Sequence, residues 1–218
     1  MRSLWRKKIN VKIDGFTLVE LITVVSIMAV MIGLLIPSFN SMRNGSDLTQ
    51  AGQLLVGQID VAHQTAAAHS HAMEIRVYSY KNPQIPNADD NYCGIQIFEI
   101  MPDGTKTAID KALQIPVSTK ICPSETLSTL ITSSYALSAG DIQKNPLPSV
   151  GVNYTGFAFR IRPNGSTDLP NPIISSPPSN FFITIHGLNA GHAETQPPAN
   201  YYTIQIDPLN SSIRTYRP

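Results

Sequence analysis

Lysine, arginine, aspartate and proline are all missing from residues 16–36, and the one charge in that stretch is Glu20. A segment of about 20 apolar residues is long enough to cross a hydrocarbon layer as a helix, so the sequence predicts a membrane span from Phe16 to Ile36. Other absences exclude whole classes of function. There is no G-x-S-x-G elbow, H-E-x-x-H pair, EF-hand spacing or phosphate-binding glycine loop, so no known catalytic arrangement is announced and no cofactor or metal is expected. Two cysteines in 218 residues exclude a disulfide-dense scaffold.

What precedes the span is basic. Arg2, Arg6, Lys7, Lys8 and Lys12 stand against Asp14, which places the N-terminus in the cytoplasm and the rest of the chain outside. Without residues 1–15 the chain carries 11 basic and 14 acidic side chains, a mildly acidic balance with no field for nucleic acid. A carboxylate inside a span costs about 2.5–3.5 kcal/mol at the helix centre on insertion scales, so Glu20 needs a partner or a shallow position. A cut between Gly15 and Phe16 would create an α-amino group about one helical turn away, and that ammonium, on this subunit or a neighbour, is a natural counter-ion.

The basic leader ending in Gly15, the tract G-F-T-L-V-E-L and Pro37 after the span resemble the class III signal peptides of type IV pilins and type II secretion pseudopilins. The resemblance implies cleavage after Gly15 by a prepilin peptidase, N-methylation of Phe16, and pairing of Glu20 with a neighbouring subunit's N-terminus. The partners it implies are the peptidase, other pilin or pseudopilin subunits, an inner-membrane assembly platform and membrane lipid. The implied location is a single-pass inner-membrane anchor with a periplasmic or filament-borne domain. The C-terminal half, with R-P-N-G-S at 162–166 and the final hairpin Y-T-I-Q-I-D-P-L-N-S-S-I-R-T-Y, resembles the GspH/FimT-like minor pseudopilins. Its ending is also similar to the pilin-like family called Verru_Chthon cassette protein D.

Beyond the span the apolar residues Leu48, Ala51, Leu55, Ile59, Ala62 and Ala66 recur every three or four positions, one face of an amphipathic helix. The expectation is one helix from about Phe16 to His69, kinked by Pro37 and weakened at Asn44-Gly45-Ser46. From residue 72 the period becomes two. Strands are expected at 73–80, 93–100, 106–113, 154–162, 181–186, 201–207 and 212–216, with 123–139 open between helix and strand. The fold class is therefore α+β, a long N-terminal helix packed on an antiparallel sheet or β-sandwich. The divisions are a leader (1–15), an assembly helix (16–36), its amphipathic continuation (37–70) and an outward β-rich domain (71–218).

Cys93 and Cys122 lie on the outward side, where a bridge can form; two separately buried thiols are the other reading. His63, His69 and His71 cluster near the helix end, but no carboxylate stands at ligand spacing beside them in sequence. Asp89, Asp90 and Asn91 read as a solvated loop and Asp103-Gly104 as a hairpin turn. The aromatics of 154–159, 181–182 and 201–202 read as core. The sequence thus describes a non-enzymatic pilin-like subunit, with a ligand-binding tip subunit as the alternative and a membrane-anchored enzyme as a weaker one.

Overall fold

The structure, a computed structural model, describes residues 15–85, 87–171, 180–190 and 196–218, and for helical residues 35–41 the backbone alone. The chain divides into two compact units, Met1–Met42 and Arg43–Pro218. Helix α1 (Leu18–His69) contributes to both.

In the second unit, the residues of α1 that recur at helical spacing are the ones it buries. Leu48, Ala51, Leu55, Ile59, Ala62 and Ala66 are all at most 1% exposed. Burying each large aliphatic side chain among them contributes roughly 1.5–3 kcal/mol. The helix ends at His69, and Ser70 takes the left-handed conformation (φ 59°) that commonly follows a helix C-terminus. The expected break at Asn44-Gly45-Ser46 does not occur. Thr49 Oγ1 donates to Gly45 O (3.0 Å), and the Arg217 guanidinium donates to Gly45 O (3.1 Å) and to Thr49 Oγ1. A tertiary contact from the far end of the chain thus compensates for the weak helix formers. The side chain of Pro37 lies outside the described residues.

The chain then turns back into strands β1 (Ala72–Lys81), β2 (Asp90–Ile100), β3 (Lys106–Ala108), β4 (Leu113–Gln114) and β5 (Thr119–Ile121). A 3-10 turn at Ser133–Tyr135 and helix α2 (Ala139–Lys144) precede β6 (Thr155–Ile161), β7 (Phe181–Gly187), β8 (Tyr201–Ile206) and β9 (Ile213–Tyr216). Among the described residues these strands form one antiparallel sheet, not a sandwich, in the order β6-β1-β2-β5-β7-β8-β9, with β3 and β4 also on β2. The single strand expected at 106–113 is split: Ile109 N–H still donates to Ile97 O (3.0 Å), and Asp110–Ala112 then leave the ladder before β4.

One face of the sheet carries Met73, Ile75, Val77, Ile95, Ile97, Phe157 and Phe159 into the same core as the α1 stripe. The two layers are in close contact at Gly52, where an added Cβ would stand 2.5 Å from the Tyr202 ring. On the opposite face Glu74, Arg76 and Tyr78 are buried as well. The segment from Ala136 to Tyr154 covers them: Leu137 N–H donates to Gly156 O (2.9 Å), and Tyr154 packs edge-on against Tyr78 at 5.0 Å between ring centroids.

Between Tyr78 and Ser79 the β1–β2 register shifts, since Tyr78 pairs with Gly94 but Ser79 with Tyr92, leaving Cys93 as the extra residue of a bulge. Both cysteines are buried, with no disulfide between them in this structure: Cys93 packs into the main core at the bulge, whereas Cys122 follows β5 outside that cluster. Burial pushes both thiols up from their usual range.

Candidate functional site

The residues singled out by the sequence meet at the start of α1. Gly15, Phe16 and Thr17 precede the helix, and Phe16 is 83% exposed. Among the described residues, a Cβ added to Gly15 would meet nothing within 4 Å, so they do not require glycine there. Of the expected leader, residues 1–15, residues 1–14 lie outside the described residues.

Glu20 has a partner within its own turn. Thr17 donates its backbone N–H (2.9 Å) and its hydroxyl (2.8 Å) to Glu20 Oε2, and Glu20 N–H approaches Thr17 Oγ1 at 3.2 Å. This is a capping box, with Thr17 as N-cap and Glu20 three residues on, reciprocally satisfying donors that a helix start leaves bare. The arrangement follows from the T-L-V-E spacing. Among the described residues, Glu20 Oε1 accepts no hydrogen bond.

From there the helix is apolar on every side. Leu18, Val19, Leu21, Ile22, Val25, Ile27 and Met28 are all more than half exposed, and the pattern continues through Leu34. A helix apolar all round belongs in a membrane or inside a larger assembly, not in water. Among the described residues no helix is long and apolar enough to cross a membrane.

A second constellation was not legible from the sequence. Arg76, fully buried, donates through Nε to Glu74 Oε1 (2.8 Å) and through Nη2 to Asp141 Oδ1 (3.0 Å), with its guanidinium carbon 3.9 Å over the Phe98 ring. Lys106 Nζ bridges Glu74 Oε2 (3.0 Å) and Asp141 Oδ1 (2.9 Å), and Arg160 Nε reaches Glu74 Oε2 (3.0 Å). Burial alone would raise the Glu74 carboxyl, but the Lys106 hydrogen bond and the Arg76 and Lys106 charges hold it below the usual carboxylate range. Asp141 also sits in the first turn of α2, where Ser138 Oγ accepts its N–H (3.1 Å) and donates to its Oδ2 (2.7 Å). The network therefore ties α2 across the sheet, and its charges pair with one another. Its chemistry is structural.

The histidines fall differently from expectation. His69 and His71 bring their Nδ1 atoms to 3.0 and 2.7 Å from Glu99 Oε1, a carboxylate supplied by β2 from about thirty residues away. Among the described residues no group of three His, Cys, Asp or Glu side chains could hold a metal ion. His63 instead lies under the R-P-N-G-S turn, with Nε2 3.0 Å from where a Gly165 Cβ would stand, and His186 is buried in β7. His192 lies outside the described residues. Gly104 (φ 83°) closes the hairpin at Asp103, whose carboxylate accepts Thr105 N–H at 2.8 Å.

No protein-family model matches the chain, and no curated protein matches it. Among solved structures, it is similar to the minor pseudopilin EpsH from the type 2 secretion system of Vibrio cholerae, at 8% identity and a TM-score of 0.42 over 79% of this chain and 98% of that one. It is also similar to the type IV minor pilin FimU of Pseudomonas aeruginosa, at 12% identity and a TM-score of 0.41 over 79% of this chain and 93% of that one. At such identities and scores neither likeness bears on function.

Proposed function

We propose that this chain is a non-enzymatic pilin-like subunit, anchored in the inner membrane by residues 16–36 and assembled into a type IV pilus or type II secretion-like filament. The observation that carries the reading is the start of α1: a helix apolar on all sides, entered through G-F-T and holding one carboxylate, Glu20. A prepilin peptidase removes residues 1–15 and methylates the amine of Phe16. The exposed Gly15-Phe16 bond, and a glycine the described residues do not require, fit a site kept for an enzyme. Pro37 follows the anchor, and residues 71–218 stand on the periplasmic side. Lateral packing of several such helices covers the apolar surface. Thr17 occupies Glu20 Oε2 within the subunit, leaving Oε1 to receive a neighbour's terminal ammonium. A misaligned subunit would leave that charge unpaired in an apolar bundle, so the pair sets register as well as attraction.

Two substitutions separate the carboxylate's two roles. Glu20→Ala removes both capping and charge; Glu20→Gln keeps a capping side chain and removes the charge alone. Both variants are expected to be cleaved normally and to enter filaments at least about tenfold less, the equivalent of about 1.4 kcal/mol of assembly free energy. Normal incorporation of Glu20→Gln would overturn charge pairing.

A further inference from the structure

Two cavities of the globular unit differ in character. The one at the ion network, about 320 Å³, is bordered by Glu74, Lys106, Asp141 and Arg160, whose charges are already paired with one another. The other, about 570 Å³, lies where β1 ends and β6 begins. Lys81 and Asp90 face each other in register across β1 and β2, yet no ion pair joins them. Ser79, Asn153 and Thr155 also line this cavity, and among the described residues none of their side chains has a hydrogen-bond partner. Pro83, Val150, Val152 and Tyr154 supply its apolar surface.

Several features of the backbone shape this cavity. The β1–β2 register shift falls at Ser79, and bulges commonly re-aim side chains next to sites. The opposite wall is a tight loop closed by reciprocal hydrogen bonds between Leu147 and Gly151, both 2.8 Å, which holds Ser149 at φ 66°. A non-glycine residue in that conformation costs on the order of 1 kcal/mol and persists where its surroundings fix it. The floor is rigid: Tyr154 packs edge-on against Tyr78 and donates its hydroxyl to Asn145 O at 2.8 Å.

We propose that this cavity binds a short zwitterionic peptide, of dipeptide to tripeptide size. A cation and an anion side by side and unpaired suit a ligand carrying both charges, with its carboxylate at Lys81 and its ammonium at Asp90. The hydroxyls and Asn153 match peptide N–H and C=O groups, and Val150, Val152 and Pro83 accept an apolar side chain. The volume falls in the range of small-ligand sites. The proposal does not depend on filament assembly, and it gives the globular unit a recognition role of its own.

The test uses the full chain in detergent micelles, with the dipeptide Val-Val as probe and calorimetry as readout. Val-Val is expected to bind, more weakly as salt rises, while its N-acetylated, C-amidated form does not bind. Lys81→Met and Asp90→Asn should each weaken binding at least about tenfold, with Lys111→Met as a control that leaves it unchanged. Both target side chains are exposed, so the variants are expected to melt with the parent. The proposal is overturned if the blocked dipeptide binds equally, if neither substitution matters, if Val-Val gives no heat at millimolar concentration, or if trehalose binds there and Val-Val does not.

Discussion

The ring of Tyr202 on β8 lies directly over the bare Cα of Gly52 on α1. A side chain at Gly52 would place its Cβ 2.5–2.7 Å from the ring atoms Cε1, Cδ1 and Cγ, so the base of the ring as well as its edge would have to move. Gly52→Val is therefore expected to destabilise the globular unit by roughly 1–3 kcal/mol through overpacking, despite higher helix propensity than glycine. Urea unfolding of the variant measures this, and an unchanged midpoint would show that α1 and β8 can separate without cost.

Glu74 is the hub of the buried ion network, so removing its charge should be costly. Glu74→Gln leaves Arg76 facing only a shared Asp141 oxygen and is expected to cost about 3 kcal/mol. The same group predicts the acid limb of stability. Its folded pKa lies below the ordinary value of 4.5, so the native state binds fewer protons than the unfolded state as pH falls through 4.5. Its stabilisation is full above that value and is lost as pH drops through the folded pKa. The unfolding midpoint should be level near neutrality and fall below about pH 4.5, with a shallower fall in Glu74→Gln.

Arg217 holds the weakest part of α1 in helical form. Arg217→Ala should leave global stability nearly unchanged while amide exchange at residues 44–49 speeds up by about tenfold, as expected for local opening. Uniform acceleration across the sheet would instead assign the residue a global role.

The long elements were legible because their burial has a period. The α1 stripe from Leu48 to Ala66 and strands β1, β2, β6, β7 and β8 each repeat often enough to reveal a helix face or a strand. Strands β3, β4 and β5 have three residues or fewer and carry no period to read. Helix α2 is six residues long, and its one sequence signal was the S-x-x-D spacing of Ser138 and Asp141. Glu74 and Arg76, on the polar side of the β1 alternation, are buried by partners from residues 106, 141 and 160, which no local window connects. Glu99 escaped notice beside His69 and His71 for the same reason. At the start of α1 the capping box could be read directly, since T-x-x-E is a local motif.

Whether residues 1–15 are removed is read by intact and N-terminal mass spectrometry of the protein from its native membrane. A chain beginning at N-methylated Phe16 is the expected result, and Gly15 replaced by a bulky residue should abolish it while leaving the fold intact. A chain that retains Met1, or one cut beyond Pro37, would contradict processing as a filament subunit.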